Sequence, residues 1–171
     1  MSFRRNNKDE SFRLPLSAKD VALASVIGAI YVVLTIGLAP ISYGPIQFRI
    51  SEVLTILPFL RASTMWGLFA GCLIANYVGG FGPWDIFLGS LCTLIAAYLT
   101  SKMPSIWLAP LPPVIINAFG ISSYLSIIFG VPYLHTVLYI GISETIICYV
   151  LGLPLLYYLK KQNFLEEYIF K

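Results

Sequence analysis

The sequence predicts an all-α membrane protein: a compact bundle of six transmembrane helices with both termini in the cytoplasm. Three observations carry this prediction. First, 58% of the 171 residues are apolar and only 11% are charged, with a mean hydropathy of +0.82. A soluble domain carries about 25% charged residues, so this chain lacks the charge to coat a water-facing globule, and its excess apolar surface calls for lipid. Second, the charges that exist are separated by long uncharged intervals. Third, the Lys and Arg residues recur at intervals that place them on one side of a bilayer.

The elements follow in order. Residues 1–19 form a polar tail with Arg4, Arg5, Lys8, Arg13 and Lys19 against Asp9 and Glu10. Val21 to Pro40 then runs 20 residues without a charge, enough to span a bilayer. A signal-peptide core is about 7–15 residues long, so this longer run reads as a retained first helix. Ile41 to Phe48 is a Pro/Gly/Tyr-containing loop. Ile50–Leu60 and Thr64–Val78, separated by Arg61, are short for full spans; the first is expected to tilt or to be sheltered by its neighbours. Gly79, Gly80, Gly82 and Pro83 mark a turn, and a fourth helix runs from Trp84 to Ser101. Between Lys102 and Lys160 there is no Lys or Arg, and Glu144 is the sole acid. Gly130-Val131-Pro132 divides that stretch into a fifth and a sixth helix. The spanning domain is thus residues 20–160, followed by a short cytoplasmic tail, 161–171.

The basic residues test this map. With six spans, Arg61, Lys102, Lys160, Lys161 and Lys171 fall on the side of the basic N-terminal tail, and the outer loops near 79–84 and 129–133 carry no Lys or Arg. Arg49, at the end of the first outer loop, is the exception. Two basic ends require an even number of spans; four spans with a re-entrant hairpin at 50–78 satisfy the same parity.

A charge at mid-bilayer costs about 2.5–3.5 kcal/mol even on a lenient insertion scale, so each one asks for a reason. Arg49 and Glu52 lie three apart at a helix start, close enough to pair. Asp85 opens the fourth helix, where the dipole favours an anion. Asn76, Asn117 and Glu144 lie within the third, fifth and sixth helices. Arg49, Glu52, Asn76 and Asp85 share one depth on this map, as a cavity open to the outside would require. Tyr43, Gln47, Tyr77 and Trp84 stand nearby to supply aromatic walls and hydrogen bonds. The plainer readings are a self-contained Arg49–Glu52 pair, an Asp85 that only starts its helix, and an Asn117 that bridges helices. His135 reads as an interfacial residue.

Small residues repeat at helical spacing: Ala24/Gly28 and Ser25/Ala29 on the first helix, and Gly67, Gly71, Ala75 and Gly79 on the third. For the third helix this reads as internal packing; for the first, internal packing and a face of these four residues for an external partner both stand. Cys72, Cys92 and Cys148 lie in apolar runs without metal-type spacing, and neither metal nor cofactor is called for. The sequence has no G-x-x-x-x-G-K-[ST] loop, no nucleophile–base motif and no basic, aromatic-interleaved patch for nucleic acid, which points away from an enzyme.

Several separated segments are recognisable. Pro40-Ile41-Ser42-Tyr43-Gly44-Pro45-Ile46-Gln47-Phe48-Arg49-Ile50-Ser51-Glu52 resembles the signature of the queuosine-precursor (QueT-type) transporter family. So do Gly71 to Asn76, Trp84 to Ser90, Pro112 to Ala118 and Glu144 to Pro154, in the same order along residues 18–160. Where the family pattern has Gly-Glu in the sixth helix, this chain has Ser143-Glu144. The resemblance implies the substrate-binding S component of an energy-coupling-factor (ECF) transporter. Such a six-helix subunit captures a vitamin-like solute at the outer face. It then works with a transmembrane coupling protein and two cytoplasmic ATPases in the cell membrane. The implied solute is a 7-deazaguanine: queuine or its 7-aminomethyl or 7-cyano precursor. A guanine-type edge suits a carboxylate, its carbonyl suits Arg49, Asn76 or Asn117, and a cationic arm would favour a second acid. Which of Glu52, Asp85 and Glu144 reads which group stays open at this level. So do two other readings: an S component for a different vitamin, or an assembly protein whose charges only pair helices.

Overall fold

A computed structural model describes residues 16–43 and 48–162. Helix α1 (Ala18–Gly37) is followed by the short α2 (Ala39–Ser42) and a 3-10 helix, Ile50–Phe59. Helix α3 (Thr64–Gly79) precedes a π-helical turn, Asp85–Gly89, which runs straight into α4 (Ser90–Lys102). A 3-10 turn at Ile106–Leu108 leads to α5 (Leu111–Phe129). The last rod is α6 (Tyr133–Thr145), a π segment (Ile146–Gly152) and α7 (Leu153–Lys161) in continuous succession. No strand occurs among the described residues.

Three of these helical rods are long and apolar enough to cross a membrane: Ala18–Gly37, Ile106–Phe129 and Tyr133–Lys161. Ile50–Phe59 and Thr64–Gly79 are apolar but shorter. The boundaries depart from the sequence reading in instructive places. Helix α1 stops at Gly37 rather than Pro40, and part of the expected 41–48 loop is the helical turn α2. Gln47 and most of the two terminal tails, residues 1–15 and 163–171, lie outside the described residues.

Ser17 caps α1 reciprocally: its hydroxyl accepts from the Asp20 amide at 3.1 Å and the Asp20 carboxylate accepts from the Ser17 amide at 3.3 Å. The same carboxylate takes Arg61 Nε at 3.0 Å and Ser63 Oγ at 2.8 Å, which fastens the start of α1 to the approach to α3. From there α1 and α3 run in close contact. A Cβ on Gly67 would sit 2.0 Å from the Ala24 carbonyl oxygen, and one on Gly71 would sit 2.7 Å from that of Gly28. Both glycines are there because the backbones nearly touch. Ala24 and Gly28 are therefore buried inside the bundle rather than offered to a partner, which corrects half of the expected outer face. Ser25 and Ala29 do face outward.

The 3-10 helix is central. Ser51, Glu52, Leu54, Thr55, Ile56, Leu57 and Pro58 are all buried, in contact with α1, α3, α4 and the π segment of the last rod. Three-residue hydrogen bonding stretches the backbone to about 2.0 Å per residue against 1.5 Å in an α-helix, so ten residues reach about 20 Å instead of 15 Å. Runs of this length are uncommon. Here Pro58 has no N–H to offer, and the Glu52 carbonyl accepts Thr55 Oγ1 at 2.6 Å and Cys148 Sγ at 3.7 Å. This explains how a segment too short for an α-helical span is sheltered by its neighbours.

The bundle has two chemically distinct ends. Arg61 meets Asp20 at the start of α1, and Lys160 on α7 lies 5.9 Å over the Phe59 ring. That end is basic. Ser42, Arg49, Asn76 and Asp85 gather at the other, because Arg49 immediately precedes the 3-10 helix that Phe59 ends.

Candidate binding site

Arg49 stands just before the 3-10 helix in an extended conformation, φ −91° and ψ 97°, which turns its side chain away from Glu52. The expected Arg49–Glu52 pair is absent among the described residues: Arg49 looks to other elements. Its NH1 donates to Asn76 Oδ1 at 2.8 Å and its Nε donates to the Ser42 carbonyl at 3.4 Å. Its NH2 lies 3.7 Å from Asp85 Oδ2, and the guanidinium stands 5.8 Å over the Tyr43 ring.

Each partner is itself held. Asn76, in the last turns of α3, donates through Nδ2 to the Asp85 carbonyl at 2.9 Å. Tyr124 on α5 donates to Asp85 Oδ1 at 2.6 Å, and Tyr43 donates to the Ala75 carbonyl at 2.5 Å. The π turn at Asp85–Gly89 widens the helix where these groups meet, as such turns do at functional positions. A side chain at Gly89 would strike Asn76 Nδ2 at 3.0 Å and the Tyr124 hydroxyl at 3.1 Å, so glycine permits the convergence. Gly79 does the same for the ring of Tyr43, which a Cβ would meet at 2.6 Å.

One 3-10 turn deeper lies a second polar group. Asn117 on α5 donates through Nδ2 to Glu144 Oε1 at 3.0 Å and to Glu52 Oε2 at 3.4 Å, so a single amide bridges two carboxylates. Tyr31, in the middle of α1, donates its hydroxyl proton to Glu52. Cys148, in the π segment, donates to Glu144 Oε2 at 3.5 Å. All of these side chains are buried.

Both groups contain polar atoms that are buried yet unmatched. Arg49 NH2, Asp85 Oδ2 and Asn117 Oδ1 have no hydrogen-bond partner, nor do the hydroxyls of Ser42 and Ser122. A buried polar group without a partner costs about 1–3 kcal/mol, so each of these needs an explanation. Arg49, Glu52, Asp85 and Glu144 are the buried charged side chains here, one cation against three carboxylates.

The arrangement can therefore hold a polar molecule by donor and acceptor together. An open apolar groove of about 400 Å³ between α5 and α6 (Val114, Phe119, Leu138, Ile142) cannot. Its polar lining residue, Thr145, already donates to the Gly141 carbonyl at 2.6 Å, so the groove is suited to acyl chains.

Of the residues singled out in the sequence, Tyr43, Arg49, Glu52, Asn76, Asp85, Asn117 and Glu144 come together in these two groups. Tyr77 and Trp84 do not: they are 73% and 59% exposed, on the outer surface. His135 is exposed as well. Sequence reasoning passed over Tyr31, Tyr124, Ser42 and Cys148. The tyrosines carried a usable signal, since a hydroxyl inside an apolar helix must find an acceptor. Cys72, which lies in an apolar run, accepts from Thr93 Oγ1 at 3.4 Å.

The chain is similar to known proteins along most of its length. A family profile described as "QueT transporter" matches residues 21–161. A curated protein of Lactococcus lactis subsp. cremoris (strain MG1363), named "Queuosine precursor transporter QueT", is 40% identical over 78 residues. That match covers 44% of this chain and 46% of the relative, so it spans less than half the relative's length. No solved structure matches the chain. Both names describe transporters and neither an enzyme.

Proposed function

The chain belongs to the QueT transporter family, and from that premise we propose that it is the substrate-binding S component of an ECF transporter for a 7-deazaguanine precursor of queuosine. In this reading six segments cross the cell membrane, both termini are cytoplasmic, and the Arg49–Asp85 end faces outward. The clustering of Arg61 and Lys160 at the opposite end supports that orientation. A transmembrane coupling protein and two cytoplasmic ATPases supply the energy, since the chain has no ATP-binding loop. Ser25 and Ala29, the exposed half of the small-residue face, are the contact for the coupling protein.

One observation carries the substrate reading. Arg49 NH2, a donor, and Asp85 Oδ2, an acceptor, are buried, 3.7 Å apart and without hydrogen-bond partners. A guanine-type lactam presents a carbonyl oxygen beside an N–H, the complement of that couple. Tyr43 stands beside the couple with its ring under the Arg49 guanidinium, and Asn76 and Tyr124 hold the couple in place.

A competition panel on the purified chain tests this. 7-Deazaguanines should bind and displace one another, whereas thiamine, riboflavin and folate should not compete. In the same assay Asp85→Asn should weaken binding by about tenfold or more, because a charge-assisted hydrogen bond is worth about 1.5–3 kcal/mol. Displacement by one of the other vitamins would reassign the substrate. An unchanged affinity in Asp85→Asn would remove Asp85 from the site.

A further inference from the structure

We propose that Glu52, Asn117 and Glu144 form an ammonium site, so that the bound 7-deazaguanine is one bearing a cationic amine. The inference rests on the substrate reading above and deepens it. Two carboxylates that are 2% and 4% exposed share one amide donor, and neither is in ion-pair contact with a Lys or Arg among the described residues. Asn117 cannot balance their charge; it only supplies N–H groups. Its Oδ1, on the same fully buried amide, is left without a hydrogen-bond partner.

A primary ammonium carries three N–H donors and one positive charge. The two carboxyl groups and the free amide oxygen offer three acceptors for it, and a positive charge favours an ionised carboxylate where burial beside a second acid disfavours one. Tyr31 and Cys148 donate to the carboxyl oxygens of Glu52 and Glu144 that Asn117 does not contact, so each acid keeps an orientation fixed by its own partner. The position fits as well. Glu52 follows Arg49 by three residues of 3-10 helix, a rise of about 6 Å. A fused bicyclic base held at Arg49 and Asp85 can extend a short side arm across that distance. The arrangement divides the three acids: Asp85 reads the base edge, and Glu52 with Glu144 reads the arm.

Titration calorimetry of the purified chain with two probes tests this, using 7-aminomethyl-7-deazaguanine, a cation, and 7-cyano-7-deazaguanine, which is neutral. The amine should bind at least about tenfold more tightly, the worth of one charge-assisted hydrogen bond. Glu144→Gln should shrink that gap by weakening the amine alone, and the nitrile's affinity then serves as the folding control. If Glu144→Gln does not fold, Glu52→Gln is measured the same way. Equal affinities for the two probes, or a gap that survives the substitution, would overturn the ammonium site while leaving the substrate reading intact. Failure of both probes to bind the wild-type chain would reject the substrate reading itself.

Discussion

The two ion pairs among the described residues, Arg61–Asp20 and Arg49–Asp85, use the same chemistry to opposite ends. Arg61 and Asp20 meet at 3.0 Å with side chains 30% and 11% exposed, and the carboxylate is crowded with further donors from Ser17 and Ser63. Arg49 and Asp85 stand 3.7 Å apart at 4% and 1% exposure, and each retains an atom with no hydrogen bond. A site built for stability would show the reverse, with the tighter geometry where water is scarcer, because burial raises the cost of imperfect pairing. We therefore propose that the looser pair is arranged for a third molecule and that the tighter pair is a fastener. This contrast separates site from scaffold without appeal to resemblance, and it can be broken in three places.

The largest effect is expected at Arg49. Removing it leaves Asp85 as an uncompensated buried charge and strips donors from Asn76 and the Ser42 carbonyl, so Arg49→Ala should cost about 3–5 kcal/mol of stability. Thermal unfolding in detergent reads this directly. Arg49→Lys should recover much of that stability, since it restores the charge. It should not recover ligand affinity, because a point charge cannot reach Asn76, the Ser42 carbonyl and a substrate carbonyl together as a guanidinium can. A lysine variant that binds normally would show that Arg49 only neutralises Asp85.

These contrasts also explain what the sequence could reveal. The absence of charge marked the long rods, and the isolated acids and amides marked most of the site. That logic works wherever a polar group in lipid must be explained. It failed where local geometry decides. Nothing in Arg49-Ile50-Ser51-Glu52 announces a 3-10 helix with an extended residue before it, so the pair that spacing suggested gave way to Arg49–Asp85 across elements. Likewise Ala24 and Gly28 look identical to Ser25 and Ala29 as small-residue pairs. Only the position of Gly67 and Gly71 on α3 decides which pair is buried. Trp84 and Tyr77 were placed in the site by proximity in sequence, but a helix turns neighbouring residues to different faces.

Asp20→Asn tests the fastener. Its carboxylate accepts from Arg61, Ser63 and Ser17, but Arg61 is partly solvated, which reduces the electrostatic part. We expect a loss of about 1–2 kcal/mol in stability with ligand affinity unchanged. An equal loss at both ends of the chain's behaviour, stability and affinity together, would mean that the two ion pairs are not independent.

The smallest effect, and the sharpest use of it, is Ser17→Ala. The substitution deletes the hydroxyl that accepts from the Asp20 amide and donates to its carboxylate at 2.7 Å, while Arg61 and Ser63 keep their hold on Asp20. Loss of an N-cap side chain costs about 1 kcal/mol, so the melting temperature should fall by only a few degrees. The affinity is informative because α1 also carries Tyr31, whose hydroxyl proton goes to Glu52. If α1 is a rigid rod locked to α3 through Gly67 and Gly71, fraying its first turn leaves Tyr31 in place and the ligand binds as before. If instead α1 slides against α3 when its cap is lost, Tyr31 shifts with it and Glu52 is released. Affinity would then fall although the substituted residue lies at the opposite end of the bundle. Titration of Ser17→Ala beside Tyr31→Phe separates the cases: a drop in the tyrosine variant alone places the fastener outside the binding machinery, and matching drops would make α1 the element that couples the two ends.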